Sequence, residues 1–268
     1  MTFPGATDDR DEADYVLVGA PLDISASFHP GARFGPDRIR HYAEAFEDYD
    51  HLTGRSFSEL GVHDAGDVRA WDDAAEYLEF LTGTLADVVR DDAVPLLVGG
   101  EHIISVAGVR ATEPDVFVCL DAHLDLREAY DGNPHSHATV THHALSVAEQ
   151  AVILGARSGS EDEWERAGAD DVTVVPPEDV AGWTPDYGDD ARVYCSVDVD
   201  AADPSVAPGT GTMEPFGLTS HEMHRVVRAV APHAVGFDVV EVNDRDDGQA
   251  AVLAAKLLRA FVFGHAEG

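Results

Sequence analysis

Short apolar runs alternate along this chain with longer amphipathic stretches. The runs at 15–19, 60–67, 94–98, 116–120, 151–154, 172–175, 192–197 and 234–240 predict strands. Most show little polar alternation, the pattern of strands buried on both faces. Between them, helical spacing predicts helices over 36–49, 71–90, 104–110, 140–149, 161–167, 220–231 and 249–263. In 71–90, Ala75, Leu78, Leu81, Leu85 and Val88 fall on one stripe. Pro36 suits the first turn of its helix. Thr219, with Glu222 three residues on, has capping-box spacing. Turn-rich loops fill 20–35, 126–138 and 202–218. This alternation predicts an α/β fold, a parallel sheet with helices on both faces.

In such sheets the site lies outside the carboxyl ends of the strands. Four runs end there in polar groups. His102 follows 94–98, and Asp121, His123 and Asp125 follow 116–120. Asp198 and Asp200 follow 192–197, and Glu241 follows 234–240. In extended chain, the alternate spacing of Asp121, His123 and Asp125 puts all three on one face. Four carboxylates and two imidazoles are too oxygen-rich for a structural zinc, which prefers thiolates. They suit Mn²⁺ or a similar hard ion, and suffice for two ions sharing carboxylates. Two ions about 3.5–4 Å apart bridge a water and lower its pKa, making a hydroxide nucleophile without a covalent intermediate.

Charge changes the picture of the surface. The 268 residues carry a net charge of −34, with a single lysine, Lys256. Acidic pairs such as Asp8-Asp9, Asp91-Asp92 and Asp189-Asp190 are spread along the chain rather than gathered in a tail. That distribution predicts a surface adapted to molar salt. The basic footprint of a nucleic-acid binder is missing. No apolar run approaches the roughly 18 residues of a membrane span. Residues 1–14, polar and acidic, lack a signal peptide's pattern and are expected to form a flexible leader to one domain over 15–268. Cys119 and Cys195 lie inside apolar runs and read as core residues of a protein in the reducing cytoplasm.

The motifs Gly-Gly-Glu-His102, Asp121-Ala-His-Leu-Asp125 and Ser196-Val-Asp-Val-Asp200-Ala-Ala-Asp203-Pro204 resemble the ureohydrolase family of arginase, agmatinase and relatives. So do Pro208-Gly-Thr-Gly-Thr212 and Gly236-Phe-Asp-Val-Val-Glu241-Val-Asn243. The match runs in the family's order from about Val16 to Phe263. The resemblance implies a three-layer α/β/α sandwich with an eight-stranded parallel sheet. It also implies two Mn²⁺ per chain, hydrolysis of a guanidino group to urea and an amine, and a trimer or hexamer. Carried over by position, His102, Asp121, Asp125 and Asp198 bind one or both ions, and His123 and Asp200 complete the pair. Glu241 then binds the substrate guanidinium. His137 matches the family histidine that moves protons. His135, His142 and His143 have no such match and read as solvent-exposed.

The loop from Leu126 to Ser136 lacks the Asn- and Ser/Thr-rich pattern with which arginine-specific members hold the α-carboxylate. It is similar to that of archaeal-type agmatinases, as are Pro21-Leu-Asp-Ile-Ser and Gly155-Ala-Arg-Ser158. The implied reaction is agmatine to putrescine and urea, a step of polyamine biosynthesis. Glu128 and Asp131 are placed to meet the free amine of agmatine, or are ordinary acidic loop residues. Arg127 keeps a guanidino-acid such as 4-guanidinobutyrate, or arginine, open as the alternative. A metal-binding assembly subunit without activity is a third reading, opposed by the presence of both Glu241 and His137. Ile103, Met213 and Asp244 depart from the family pattern at positions that bear on the pocket's shape.

Overall fold

The structure, a computed structural model, describes residues 1–268. In chain order it contains β1 (Tyr15–Ala20), α1 (Gly35–Ala43), β2 (Tyr49–Asp50), β3 (Arg55–Ser56) and β4 (Val62–Asp67). Then come α2 (Ala74–Arg90), β5 (Val94–Gly99), α3 (Ser105–Thr112), β6 (Val116–Leu120) and α4 (Val140–Ala144). β7 (Gln150–Leu154), α5 (Glu161–Arg166), β8 (Val172–Val175), α6 (Pro177–Val180) and β9 (Val193–Asp198) come after them. The chain closes with α7 (Ser220–Val230), β10 (Ala234–Val240) and α8 (Gln249–His265).

Eight strands form one parallel sheet in the order β4-β1-β5-β10-β9-β6-β7-β8, and β2 and β3 make a separate hairpin. Strand periodicity of two sorts the apolar side chains onto its two faces. Tyr15, Leu17, Leu96, Val98, Val118 and Leu120 join the core under α1, α7 and α8. Val16, Val18, Leu97, Phe117 and Cys119 join the core under α2, α3 and α4. The result is the expected three-layer α/β/α sandwich. Cys119 and Cys195 belong to opposite faces, and both are free thiols. No helix is long and apolar enough to cross a membrane.

Several element boundaries differ from expectation, each for a visible reason. α1 stops at Ala43 rather than near Tyr49, because Arg259 on α8 takes the carbonyls of Glu47 and Asp48 at 2.8 and 2.6 Å. That frees the chain for the β2–β3 hairpin. α4 stops at Ala144, and the amide of Glu149 donates to Asp115 O at 2.9 Å, drawing the chain into β7. In α2, Ala75 is exposed and Tyr77 takes its place beside Leu78, Leu81, Leu85 and Val88. Burying each large apolar side chain of that stripe contributes about 1.5–3 kcal/mol. The capping box of Thr219 and Glu222 is formed.

The first residues are not a frayed leader at their apolar positions. Phe3 and Ala6 are buried, and the Phe3 ring packs 5.6 Å from that of Phe57. The Phe3 amide donates to Asp64 Oδ2 at 2.7 Å, and that of Asp8 to Val62 O at 3.2 Å. This segment therefore lies along β4.

Candidate active site

The four central strands β5, β10, β9 and β6 are neighbours, and their carboxyl ends deliver the four polar groups to one point. His102 arrives through a close backbone crossing. A Cβ on Gly100 would lie 2.4 Å from Ala20 O and 2.5 Å from Leu22 O, so only glycine passes there. His102 then opens a short 3-10 turn ahead of α3. Its Nδ1 faces three carboxylates: Asp125 Oδ2 at 3.0 Å, Asp121 Oδ2 at 3.1 Å and Asp198 Oδ2 at 3.5 Å.

Asp121 turns its other oxygen toward a second imidazole. Its Oδ1 lies 3.5 Å from His123 Nδ1, and Asp200 Oδ2 lies 3.0 Å from the same nitrogen. The six predicted ligands thus form two adjoining groups that share Asp121. The face-sharing expected of an extended 121–125 segment does not hold. Asp125 has φ +52°, which folds it back toward His102 while His123 turns toward Asp200.

This donor set fits a pair of cations. His102 Nδ1 is buried and has no hydrogen-bond partner, although three carboxylate oxygens surround it. Burial and the neighbouring Asp121 charge push Asp125 up to about 7, and burial beside Asp200 and Asp121 raises Asp198 well above the usual carboxylate range. Burial works against protonation of His123, yet the Asp200 and Asp121 carboxylates outweigh it and raise the imidazole far above its ordinary value. Crowded carboxylates that hold protons on imidazole are a site built for positive charge.

Residues behind the ligands fix their orientation. His102 Nε2 lies 3.1 Å from Ser196 Oγ, which donates to Asp238 Oδ1 at 2.6 Å, and Tyr194 OH donates to the other Asp238 oxygen at 2.9 Å. Asp198 Oδ1 accepts from the Asp200 amide at 2.8 Å, and Asp200 Oδ1 from the Ala122 amide at 3.1 Å. Cys119 is buried as expected, but its sulfur also lies 3.7 Å from His102 Nε2.

Glu241 succeeds β10 with φ +62° and is anchored twice. Its amide donates to Gly100 O at 2.9 Å, and its Oε1 accepts from the His102 amide at 2.8 Å. Burial, with Glu101 nearby, pushes its carboxyl up to about 8. His137 lies across the cavity. Its Nδ1 is 3.3 Å from Ser25 Oγ and its Nε2 is 3.2 Å from Ser27 Oγ. Ser25 Oγ in turn donates to the buried carboxylate of Glu101. Burial and the charges of His123 and His102 depress the His137 pKa.

Glu241, His137 and five of the six predicted ligands, all but Asp121, line a cavity of about 370 Å³. Arg127, Tyr130, Glu163 and Glu214 line it too, whereas Glu128 and Asp131 do not. The carboxylates facing the space beyond the metal-type ligands are therefore Glu163 and Glu214. Arg127 Nε pairs with Glu163 Oε2 at 3.0 Å, and its guanidinium lies 5.1 Å over the Tyr130 ring. Ile103, Met213 and Asp244 stay off the lining; Ile103 is fully buried in the core and the other two are exposed. His135, His142 and His143 are half-buried rather than exposed, with His135 and His143 stacked 5.5 Å apart.

The arginase-family sequence model matches residues 13–264. This chain belongs to the arginase family. It is similar to the agmatinase of Pyrococcus horikoshii, 34% identical over 94% of this chain and 92% of the relative. The N(1)-aminopropylagmatine ureohydrolase of Thermococcus kodakarensis is 33% identical, over 92% and 89% of the two chains. Among solved structures, the agmatine ureohydrolase of Thermoplasma volcanium superimposes with a TM-score of 0.94 at 33% identity, covering 99% and 94% of the chains. The chain is thus an agmatinase-like ureohydrolase, and arginase-family proteins use a binuclear metal centre, usually of manganese.

Sequence reasoning passed over several residues of this site. Asp238 carries a signal, since it is a charge inside the apolar run of β10. Glu163 carries another, the capping box it forms with Ser160. Ser25 and Glu101 lie inside the quoted motifs Pro21-Leu-Asp-Ile-Ser and Gly-Gly-Glu-His102, which give them no role of their own, and Glu214 reaches the site through loop geometry that no local pattern encodes.

Proposed function

We propose that this protein hydrolyses agmatine to putrescine and urea, with two Mn²⁺ held by His102, Asp121, His123, Asp125, Asp198 and Asp200. The observation that carries the substrate reading is the pairing of Arg127 with Glu163. It occupies the cation in the loop after Asp125 that would otherwise meet a substrate carboxylate. With Glu163 neutralised by Arg127, Glu214 leaves the cavity mouth acidic, which suits a substrate with a second positive end. The match to agmatine-processing relatives supports the same reading.

When bound, the ions would lower the pKa of a bound water, so that hydroxide is available near neutral pH. The protein supplies the rest. Glu241 accepts the guanidinium and, because its own carboxylate is fixed by the His102 amide, sets where the central carbon lies. Hydrolysis breaks the bond between that carbon and the alkyl nitrogen. The carbon gains the water oxygen and becomes urea, while the departing nitrogen gains a proton. His137, held between Ser25 and Ser27 on the cavity wall, moves that proton.

Urea release from agmatine, N1-aminopropylagmatine, arginine and 4-guanidinobutyrate tests the substrate. Agmatine is expected to lead the arginine and guanidino-acid arms by at least about tenfold in kcat/KM, or roughly 1.4 kcal/mol of transition-state binding. A faster arginine or 4-guanidinobutyrate reaction overturns the agmatine reading and leaves the family assignment standing. A faster N1-aminopropylagmatine reaction moves the substrate to the longer polyamine. No urea from any of them favours the inactive assembly subunit.

The surface charge carries a separate proposal, that the net charge of −34 is an adaptation to molar salt. The protein, as a trimer or hexamer, is expected to be folded in molar KCl and to lose structure on dilution, as screening of like charges is withdrawn. Circular dichroism across a KCl titration reads this. Equal stability at both ends would point to a basic partner instead.

A further inference from the structure

Arg157 sits in the turn after β7, with its backbone on one ligand segment and its side chain on another. Its amide and that of Ser158 both donate to Ala122 O, at 2.8 and 3.0 Å, between Asp121 and His123. Its guanidinium reaches six carbonyl oxygens from three segments. Gly155 O lies at 2.9 Å in its own turn. Asp200 O at 2.9 Å and Ala201 O and Ala202 O at 3.3 Å belong to the second ligand segment. Glu214 O at 2.6 Å and Pro215 O at 3.0 Å belong to the loop at the cavity mouth.

Five N–H donors meet six acceptors, so the fork is fully used. Every acceptor is a neutral carbonyl, so the residue acts through its planar geometry rather than through an ion pair. The chain makes room for it. A Cβ on Gly217 would lie 2.5 Å from Arg157 Nη2 and 2.7 Å from Ala201 O. The mouth loop is also tied back to the ligand segment, because Asp203 Oδ2 accepts from the amides of Phe216 and Gly217 at 2.8 and 3.3 Å. The Glu214 carboxylate at the other end of this loop lies 3.8 Å from His123 Nε2.

We infer that Arg157 is a positioning residue that sets the spacing between the two ligand segments and couples it to the loop at the cavity mouth. Through it, cation binding at Asp121, His123 and Asp200 and the placement of Glu214 become one event. Lysine cannot replace it, since an ammonium offers three donors from one point and cannot span three segments. The inference rests on the metal reading proposed above.

The test is a Mn²⁺ titration by calorimetry on the parent, Arg157→Lys and Arg157→Gln. Amide hydrogen exchange over 199–203 and 213–218 and metal-free thermal midpoints accompany it. Both variants are expected to lose at least about tenfold in Mn²⁺ affinity, roughly 1.4 kcal/mol. Both segments should exchange faster, and the metal-free midpoint should fall as well, because six carbonyls lose their donor. Unchanged affinity overturns the inference. A lower midpoint with intact affinity does so too, because that is a purely structural role. If neither variant folds, the parent decides. Loading with Mn²⁺ should slow exchange at Phe216 and Gly217 as well as over 199–203, and no slowing at the mouth loop overturns the coupling. A parent that takes up no Mn²⁺ overturns the metal reading itself, and the coupling with it.

Discussion

Asp121→Ala and Asp198→Ala are each expected to yield a folded protein with no detectable urea release. Asp121 is the residue common to both ligand groups, with one oxygen 3.1 Å from His102 Nδ1 and the other 3.5 Å from His123 Nδ1. Losing it removes a donor from both at once. Asp198 faces His102 from β9 and also orders the next ligand, since its Oδ1 accepts from the Asp200 amide. The fold does not depend on either carboxylate. Asp198 sits where like charges are crowded, and removing it relieves repulsion that metal would otherwise neutralise. Asp121 differs, because His102 and His123 outweigh its burial and hold its carboxyl well below the usual range. The metal-free thermal midpoint should therefore stay level or rise in Asp198→Ala and fall in Asp121→Ala. In the parent, free Mn²⁺ at 100 times its Kd should add about 2.7 kcal/mol, and this gain should vanish in the variants. Metal content and thermal scans with and without Mn²⁺ check both halves. A variant retaining the parent's metal content and turnover would remove these residues from the proposed site.

Glu241→Gln should cost at least about a hundredfold in kcat/KM for agmatine, or roughly 2.7 kcal/mol. The geometry explains why the substitution is selective. One carboxylate oxygen accepts from the His102 amide, and the amide oxygen of glutamine can keep that bond. The other oxygen becomes an NH₂, which turns a donor toward the guanidinium's own donors. Breaking one charged pair in a dry pocket costs about 3–5 kcal/mol, much of it from the cation left unpaired. Metal content and fold should be unchanged, which separates this variant from the aspartate variants. Activity equal to the parent's would show that the guanidinium is held elsewhere.

Much of this site is legible in the sequence because the ligand groups end apolar runs. A buried parallel strand has no freedom about where it stops, so His102, Asp121, Asp198 and Glu241 are placed by the sheet itself. Segments beyond a strand end are harder to read. Nothing local says that Asp125 turns back with a positive φ, or that Arg127 is engaged by Glu163 across the mouth. Glu128 and Asp131 are acidic and in the right loop, yet they miss the cavity, since loop side chains are aimed by tertiary contacts rather than by spacing. Helix ends fail for a similar reason. The sequence of 44–49 allows α1 to continue, and it is the distant Arg259 that ends it.

The sheet order has a consequence for how the molecule is made. β10 is the last strand in the chain, yet it lies between β5 and β9, in the middle of the sheet. Until it inserts, β5 with His102 has no hydrogen-bonded neighbour on the side where β9 and β6 carry the aspartates. A nascent chain that has emerged only as far as Asp200 holds every one of the six ligands but has no framework to bring them together. With the proposed ligand set, cation capture would wait until β10, a strand paired to partners far back in the sequence, slots into place. Pairing at such long range is slow to form, and it leaves two half-sheets with open edges in the meantime. Occupancy of the proposed metal centre would then report that the two halves have closed.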